Sequence, residues 1–198
     1  MASSKGSKTK EKIIATAIKL FYKKGFNIVS FQMLAEPLDM AQASFYRYFS
    51  DKEDLLASCA LYCAEHGRNY IDNKINADEP SHLQLKSYIF GNLNWAFEFP
   101  EKIHCLLTAY NCGHYRPSLK DVHKKINDVG IERIRRHIVR GNLEKTWQFH
   151  NADIGANLIH SLLYGEMTKM ANWKKDAQKA TEEIYSTVYS ILLNGRDM

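Results

Sequence analysis

Four prolines and ten glycines in 198 residues are too few for a fibrous or disordered chain. No run of about 18 apolar residues occurs, so no membrane span is expected. The N-terminus, MASSKGSKTKEK, is basic but lacks the apolar stretch of a secretory signal. Its four cysteines, Cys59, Cys63, Cys105 and Cys112, form no CxxC and no disulfide framework spacing. Reduced thiols in a cytoplasmic protein are the expectation. Strand alternation, hairpin turns, internal repeats and low-complexity segments are all missing. So are GxSxG, HExxH, a glycine-rich phosphate loop and paired-cysteine zinc signatures, which leaves an enzyme as a remote alternative. His104, Cys105, Cys112 and His114 give no clean i, i+4 pair on one face, and the Cys59–Cys63 pair lies in an apolar run. No catalytic residue, metal or cofactor is expected.

What is present is helix. Forty-five per cent of the residues are hydrophobic, ample for a packed core. Acid is scarce at one end: residues 1–50 hold eight Lys/Arg (Lys5, Lys8, Lys10, Lys12, Lys19, Lys23, Lys24, Arg47) against three acids (Glu11, Glu36, Asp39), and residues 51–198 balance at 19 of each sign. A basic end on a neutral body suits either a polyanion or a solubilising tail.

Residues 1–8 read as a flexible arm. From Thr9, Ile14, Ala17, Ile18 and Phe21 recur at i, i+3, i+4, i+7, one face of a helix. Gly25 supplies a left-handed stop, with Phe26 placed to fold back on the last turn. Ser30 suits an N-cap, and Phe31, Leu34, Ala35 and Leu38 repeat the apolar spacing. After a break at residues 39–41 comes a third segment, Gln42–Tyr48, whose buried side is assigned to Phe45 and Phe49. Ser50 with Glu53 fits a capping box, with Asp51 as the competing cap, for a long helix to about Asn73. Further helices are expected over 82–99 (ended by Pro100), 101–113, from Pro117 to about Arg140 (stopped by Gly141), over Asp153–Asn172 and over Lys174–Asn194.

Three helices of about 16, 8 and 7 residues, the last two split by a tight turn, make a helix-turn-helix layout. A major groove admits one α-helix, braced by the helix before it. Phe45 and Phe49 would anchor the third segment, leaving Gln42, Ala43, Ser44, Tyr46 and Arg47 to face outward. Gln can pair bidentately with adenine, which makes Gln42 the candidate base reader.

With IIATAIKLF, KKGF, Ser30, FYRYF and SDKEDLL in this order, residues 9–56 resemble the DNA-binding region of the TetR family of bacterial transcriptional regulators. The resemblance implies an all-α fold: an N-terminal three-helix DNA-binding head (1–50) with its basic arm, and a C-terminal helical dimerisation and ligand domain (51–198). It further implies that Ser30 donates to a DNA phosphate, that Gln42, Ala43 and Ser44 meet base edges, that Tyr46 and Tyr48 contact phosphates, and that Lys52 holds a phosphate at a helix start. Three departures stand out. Asp39 replaces the usual turn glycine, Ala41 replaces a Ser/Thr cap, and Pro37 falls near the end of the second helix, where it would kink or shorten it.

In such a family the body dimerises and often encloses a ligand. One helix-turn-helix reads few base pairs, so two are needed about 34 Å apart on a palindromic double-stranded operator. Stripes at Ile154, Leu158, Leu162 and Gly165 and at Ile184, Val188 and Ile191 are the expected dimer interface, with Gly155, Ala156 and Ser161 permitting close approach. An ordinary core stripe is the plainer reading of each. Trp95, Phe99, Tyr110, His114, His160 and Tyr164 are the expected contacts of a small apolar or aromatic effector, though aromatics at helical spacing are more often core. The whole reads as a homodimeric repressor released by a ligand, or as a ligand-free DNA-bound adaptor that recruits a protein.

Overall fold

A computed structural model describes residues 5–173 and 176–194. Among them there is no strand: the elements are α1 (Lys5–Lys24), α2 (Phe31–Leu38), a 3₁₀ segment (Gln42–Arg47), α3 (Lys52–Asp72), α4 (Ser81–Glu98), α5 (Pro100–Gly113), α6 (Pro117–Leu143), α7 (Ala152–Trp173) and α8 (Ala177–Asn194). The expected start of the last helix at Lys174 lies outside the described residues, as do residues 1–4 of the expected arm. No described helix is long and apolar enough to cross a membrane.

The chain divides into two compact units, Met1–Glu65 with Glu101–Lys124, and His66–Pro100 with Lys125–Met198. In the first, the α1 stripe is buried as its periodicity demands: Ile14, Ala17, Ile18 and Phe21 all lie inside. Gly25 takes φ +84°, and the Phe26 ring returns edge-on to Phe21 at 5.2 Å. Helix α1 begins at Lys5, earlier than its apolar pattern, because Lys, Ser and Glu tolerate a solvated first turn. Ser7 Oγ donates to Glu11 Oε1 at 3.1 Å across it. The long helix starts one residue later than a Ser50 cap would place it. Asp51 is the cap, accepting the Asp54 N–H at 2.7 Å, while the Asp54 carboxylate takes the Ser50 N–H at 3.0 Å. Glu53 pairs instead with Arg116 at 3.2 Å.

In the second unit α4 packs against α7 and α8. Helix α6 passes straight through Gly141 and ends at Leu143. The stop is Lys145 at φ +58°, with Thr146 N–H bonded to Gly141 O and Lys145 N–H to Asn142 O, the paired bonds of a Schellman end. Gly141 serves close approach instead. A Cβ there would overlap the Trp147 indole, which is 2% exposed and donates its N–H to Ile138 O at 2.9 Å. Asn142 then brackets Phe149 with two backbone bonds of 2.9 Å.

Candidate nucleic-acid interface

The helix-turn-helix is built from its caps inward. Ser30 is extended, and its Oγ accepts the Met33 N–H at 3.3 Å, which starts α2. Phe31, Leu34 and Ala35 are buried beneath it. Pro37 sits one residue before the end of the helix, where the missing N–H costs a single bond and the helix closes at Leu38. Asp39 takes φ 48°, ψ 50°, the left-handed conformation in which glycine is commonest. Its N–H bonds Glu36 O and the Met40 N–H bonds Ala35 O, so the last carbonyls are satisfied as a glycine would satisfy them.

Beyond the turn the segment is tighter than the expected α-helix. Ala41 offers no side-chain cap, and Ser44 N–H closes on Ala41 O at 2.9 Å, an i→i+3 bond. With six residues and no cap, the backbone satisfies its first donors by winding tighter. Two rings hold it: Phe45 and Phe49 are 0% and 1% exposed, and Phe45 stacks on Phe31 at 5.3 Å. Gln42, Ala43, Tyr46 and Arg47 are left exposed, and Ser44 and Tyr48 half-buried. Tyr46 rests edge-on against Phe31 at 5.3 Å, so its hydroxyl end is held at the surface. Lys8, Lys10, Lys12, Lys19, Lys23 and Lys24 are exposed on the same unit, with the Lys10 ammonium 5.2 Å from the Phe49 ring centre.

Lys52 turns back. Its ammonium donates to Phe26 O at 3.0 Å and Asn27 O at 3.1 Å and sits 4.6 Å from the Phe26 ring centre. It therefore ties α3 to the loop before α2, and one of its three N–H donors remains beyond these two bonds. The sequence pointed to Lys52 but not to this tie, nor to Phe31 as the ledge under Tyr46. The alternation of aromatics at 26, 31, 45, 46 and 49 was the available signal for both.

The other expected sites divide. Trp95, Phe99, His160 and Tyr164 fall in the second unit, while Tyr110 and His114 fall in the first. Trp95 is 1% exposed; its N–H donates to His66 Nδ1 at 3.0 Å, and Gly67 clears room for its ring. Phe99 meets His66 at 4.7 Å and Tyr70 at 5.7 Å. His160 packs over Gly130 and lies parallel to Tyr164 at 6.4 Å. Tyr110 and His114 are exposed, with Tyr110 against His123 at 4.2 Å. On α7, Ile154 (57% exposed), Leu158 (41%), Leu162 and Gly165 share an outer face, and a Cβ on Gly165 would meet nothing within 4 Å. Gly155 and Ala156 point inward: a Cβ on Gly155 would sit 2.8 Å from Phe149, so these small residues fit the subunit's own core. Val188 is 0% exposed and belongs to that core as well, because α8 turns it toward the interior of its own unit. Ile184 and Ile191, half-buried, remain at the surface of α8.

Two helices and an outward, ring-anchored third segment, joined by tight turns, make a helix-turn-helix. Residues 13–59 match the family "Bacterial regulatory proteins, tetR family". An uncharacterised HTH-type transcriptional regulator of Bacillus subtilis, YuxN, is 43% identical over 75 residues, which is 37% of this chain and 26% of that protein. A second, YerO from the same organism, is 39% identical over 64 residues, 32% and 22% of the two chains. The matched stretch thus spans about a quarter of either relative. Over the full fold, a TetR-family regulatory protein from Rhodococcus RHA1 superposes with TM-score 0.78 at 18% identity, covering 96% of this chain and 98% of its own. A protein from Saccharomonospora viridis, solved in complex with choline, does so with TM-score 0.76 at 14% identity, covering 95% and 97%. Over residues 13–59 the chain is thus similar to the tetR family, and as a whole it has the fold of these solved proteins.

Proposed function

We propose that this protein is a homodimeric, sequence-specific DNA-binding transcriptional regulator, a repressor released by a small apolar or aromatic ligand. One observation carries the reading: the Gln42–Arg47 face stands exposed on a head whose Phe45 and Phe49 are fully buried, among exposed lysines. In this reading Gln42, Ala43 and Ser44 meet base edges. Ser30, Tyr46, Arg47, Tyr48 and the remaining donor of Lys52 hold phosphates. A second copy joins through the outer face of α7 (Ile154, Leu158, Leu162, Gly165) with Ile184 and Ile191 of α8. Exposed apolar side chains on one helix face favour such a contact. The effector is drawn to the aromatic groups of the body, Trp95, Phe99, His160 and Tyr164 among them, and the choline complex of a protein of this fold is in keeping with a ligand site. That effector must bind one spacing of the two heads better than the other, since equal affinity shifts nothing.

Selection of bound duplexes from a random pool tests the reading. A palindrome with half-sites one helical turn apart is the expected result. With the selected site, Gln42→Ala should relax preference at one base position by about 1–3 kcal/mol. A pool that returns no enriched sequence would overturn the proposal.

A further inference from the structure

Helix α1 carries four of its lysines in a line. Lys8, Lys12, Lys19 and Lys23 are exposed, and at 3.6 residues per turn their positions fall within an arc of about 60°. The row runs for about 22 Å at 1.5 Å per residue. It lies opposite Ile13, Ile14, Ala17, Ile18 and Phe21, all 0–7% exposed. Ala15 and Tyr22 are the other exposed side chains along it. Glu11, the one acid of α1, stands at its rim with Ser7 Oγ donating to it at 3.1 Å. Among the described residues none of the four lysines is in an ion pair. Lys10 leaves the row, its ammonium lying 5.2 Å from the Phe49 ring centre.

The row and the reading segment face different ways. Helix α2 packs on α1 and the 3₁₀ segment packs on α2, with Phe31 stacked on Phe45, all on the buried side of α1. A duplex whose groove holds Gln42–Arg47 is therefore separated from the four lysines by the packed face of α1. What the row fits follows from what it lacks. A helix lying on a membrane sinks an apolar face among the lipids, and the apolar face of α1 is already buried in the head's own core. A protein partner is anchored by apolar or aromatic side chains seated in pockets. Here Tyr22 alone is of that kind, 44% exposed and edge-on to His104 at 5.6 Å. A phosphate backbone needs neither. Duplex DNA presents one charge per about 1.7 Å of its axis, so a row of four ammoniums meets phosphates in any register.

We propose that the outward face of α1 binds the phosphate backbone of a second DNA duplex, through Lys8, Lys12, Lys19 and Lys23 and without preference for sequence. A protein seated on one site then holds another stretch of duplex beside it, and the tether raises the local concentration of that stretch. Which duplex counts as the second rests on the function proposed above; the attraction of the row for phosphate does not.

The test uses the full-length protein with its reading head filled. A short duplex carrying the selected operator is fixed to beads, the protein is bound to it, and a labelled duplex of unrelated sequence follows. Wild type should retain the label at about 50 mM salt. Four neutralised phosphates give a log–log salt slope of about −3.6, so retention should weaken about a hundredfold by about 200 mM. Lys8→Gln, Lys12→Gln, Lys19→Gln and Lys23→Gln combined should abolish it with the bead operator still bound, since glutamine matches lysine in helix propensity. The same four positions changed to arginine should keep it. Retention by the glutamine variant, or no retention by wild type at about 50 mM salt, would overturn the proposal. So would binding of phosphatidylserine-rich vesicles in place of the second duplex, or loss of the bead operator in step with the label. If selection yields no operator, the groove reading fails and the row is still tested. It should then bind one unrelated duplex by itself, and the glutamine variant should bind that duplex more than about tenfold less tightly. Equal affinity of the two proteins would overturn it.

Discussion

Gly141→Ala should destabilise the protein, although helix propensity predicts the reverse. An alanine inside a helix gains about 1 kcal/mol over glycine. Against that, the new Cβ would lie inside the van der Waals envelope of the Trp147 indole, with Cε2, Cζ2 and Nε1 as its nearest atoms. The indole has little room to move: it is 2% exposed and its N–H is bonded to Ile138 O, the carbonyl three residues before the glycine. Overpacking costs about 1–3 kcal/mol. Displacing the ring far enough to break its bond leaves a buried donor and acceptor unpaired for about 1–3 kcal/mol more. The balance is a net loss of about 1–5 kcal/mol. At about 2–4 °C per kcal/mol for a chain of this size, the melting temperature should fall by roughly 2–20 °C. Thermal and urea melts of wild type, Gly141→Ala, Trp147→Leu and the double variant would check it. Adding Gly141→Ala to Trp147→Leu should cost much less than adding it to wild type, because the leucine leaves space for the methyl. A rise in melting temperature for Gly141→Ala, or strict additivity in the cycle, would refute the packing argument.

Asp39→Gly should raise stability by about 0.5–1 kcal/mol and Asp39→Ala lower it, since Asp39 holds φ 48° without the freedom of glycine; denaturant midpoints would show both. Tyr46→Ala with Lys52→Ala should weaken binding to all DNA sequences and lower the salt slope by about one unit per lost phosphate contact, and an unchanged slope would remove both phosphate roles. Lys52→Ala alone should also lower the melting temperature, because Phe26 O and Asn27 O lose their shared donor. His137, pressed by burial and by Arg133 and Arg140 from 6.5 to about 4, stays neutral in the fold while the unfolded chain takes up a proton. Stability it contributes is complete above pH 6.5 and is lost as pH falls toward 4, on the order of 3 kcal/mol, so His137→Gln should flatten that part of the stability–pH curve.

The head was legible because its signals are local. A period-3.6 stripe, one glycine, one serine and an aromatic pair each act within a turn of themselves, and Ile14 to Phe21, Gly25, Ser30, Phe45 and Phe49 all lie where their spacing puts them. Legibility stopped where the deciding partner is distant or where two residues compete for one role. Asp51 took the cap that Ser50 could have held. Gly141 looks like a terminator until Trp147 is seen lying on it, and Gly155 like an interface residue until Phe149 is. Val188 carries the same apolar side chain in a core as at a surface, and only the turn of α8 assigns it. Lysine at 145 in a left-handed end has no sequence signature at all.

The tight winding of residues 42–47 sets how letters could be arranged on the head. Three residues per turn place side chains in three straight files, where an α-helix would fan them. One file holds Gln42, Phe45 and Tyr48, with its middle member sunk into the protein; the other two, Ala43 with Tyr46 and Ser44 with Arg47, form twin ridges. Gln42 can then reach a base only from the leading tip, and any bulk added at Ala43 lands directly above the phenol of Tyr46. A register change at this turn would swap ridges for furrow, so the methyl of Ala41, too inert to pull the chain into a wider coil, helps choose which side chains a groove would meet.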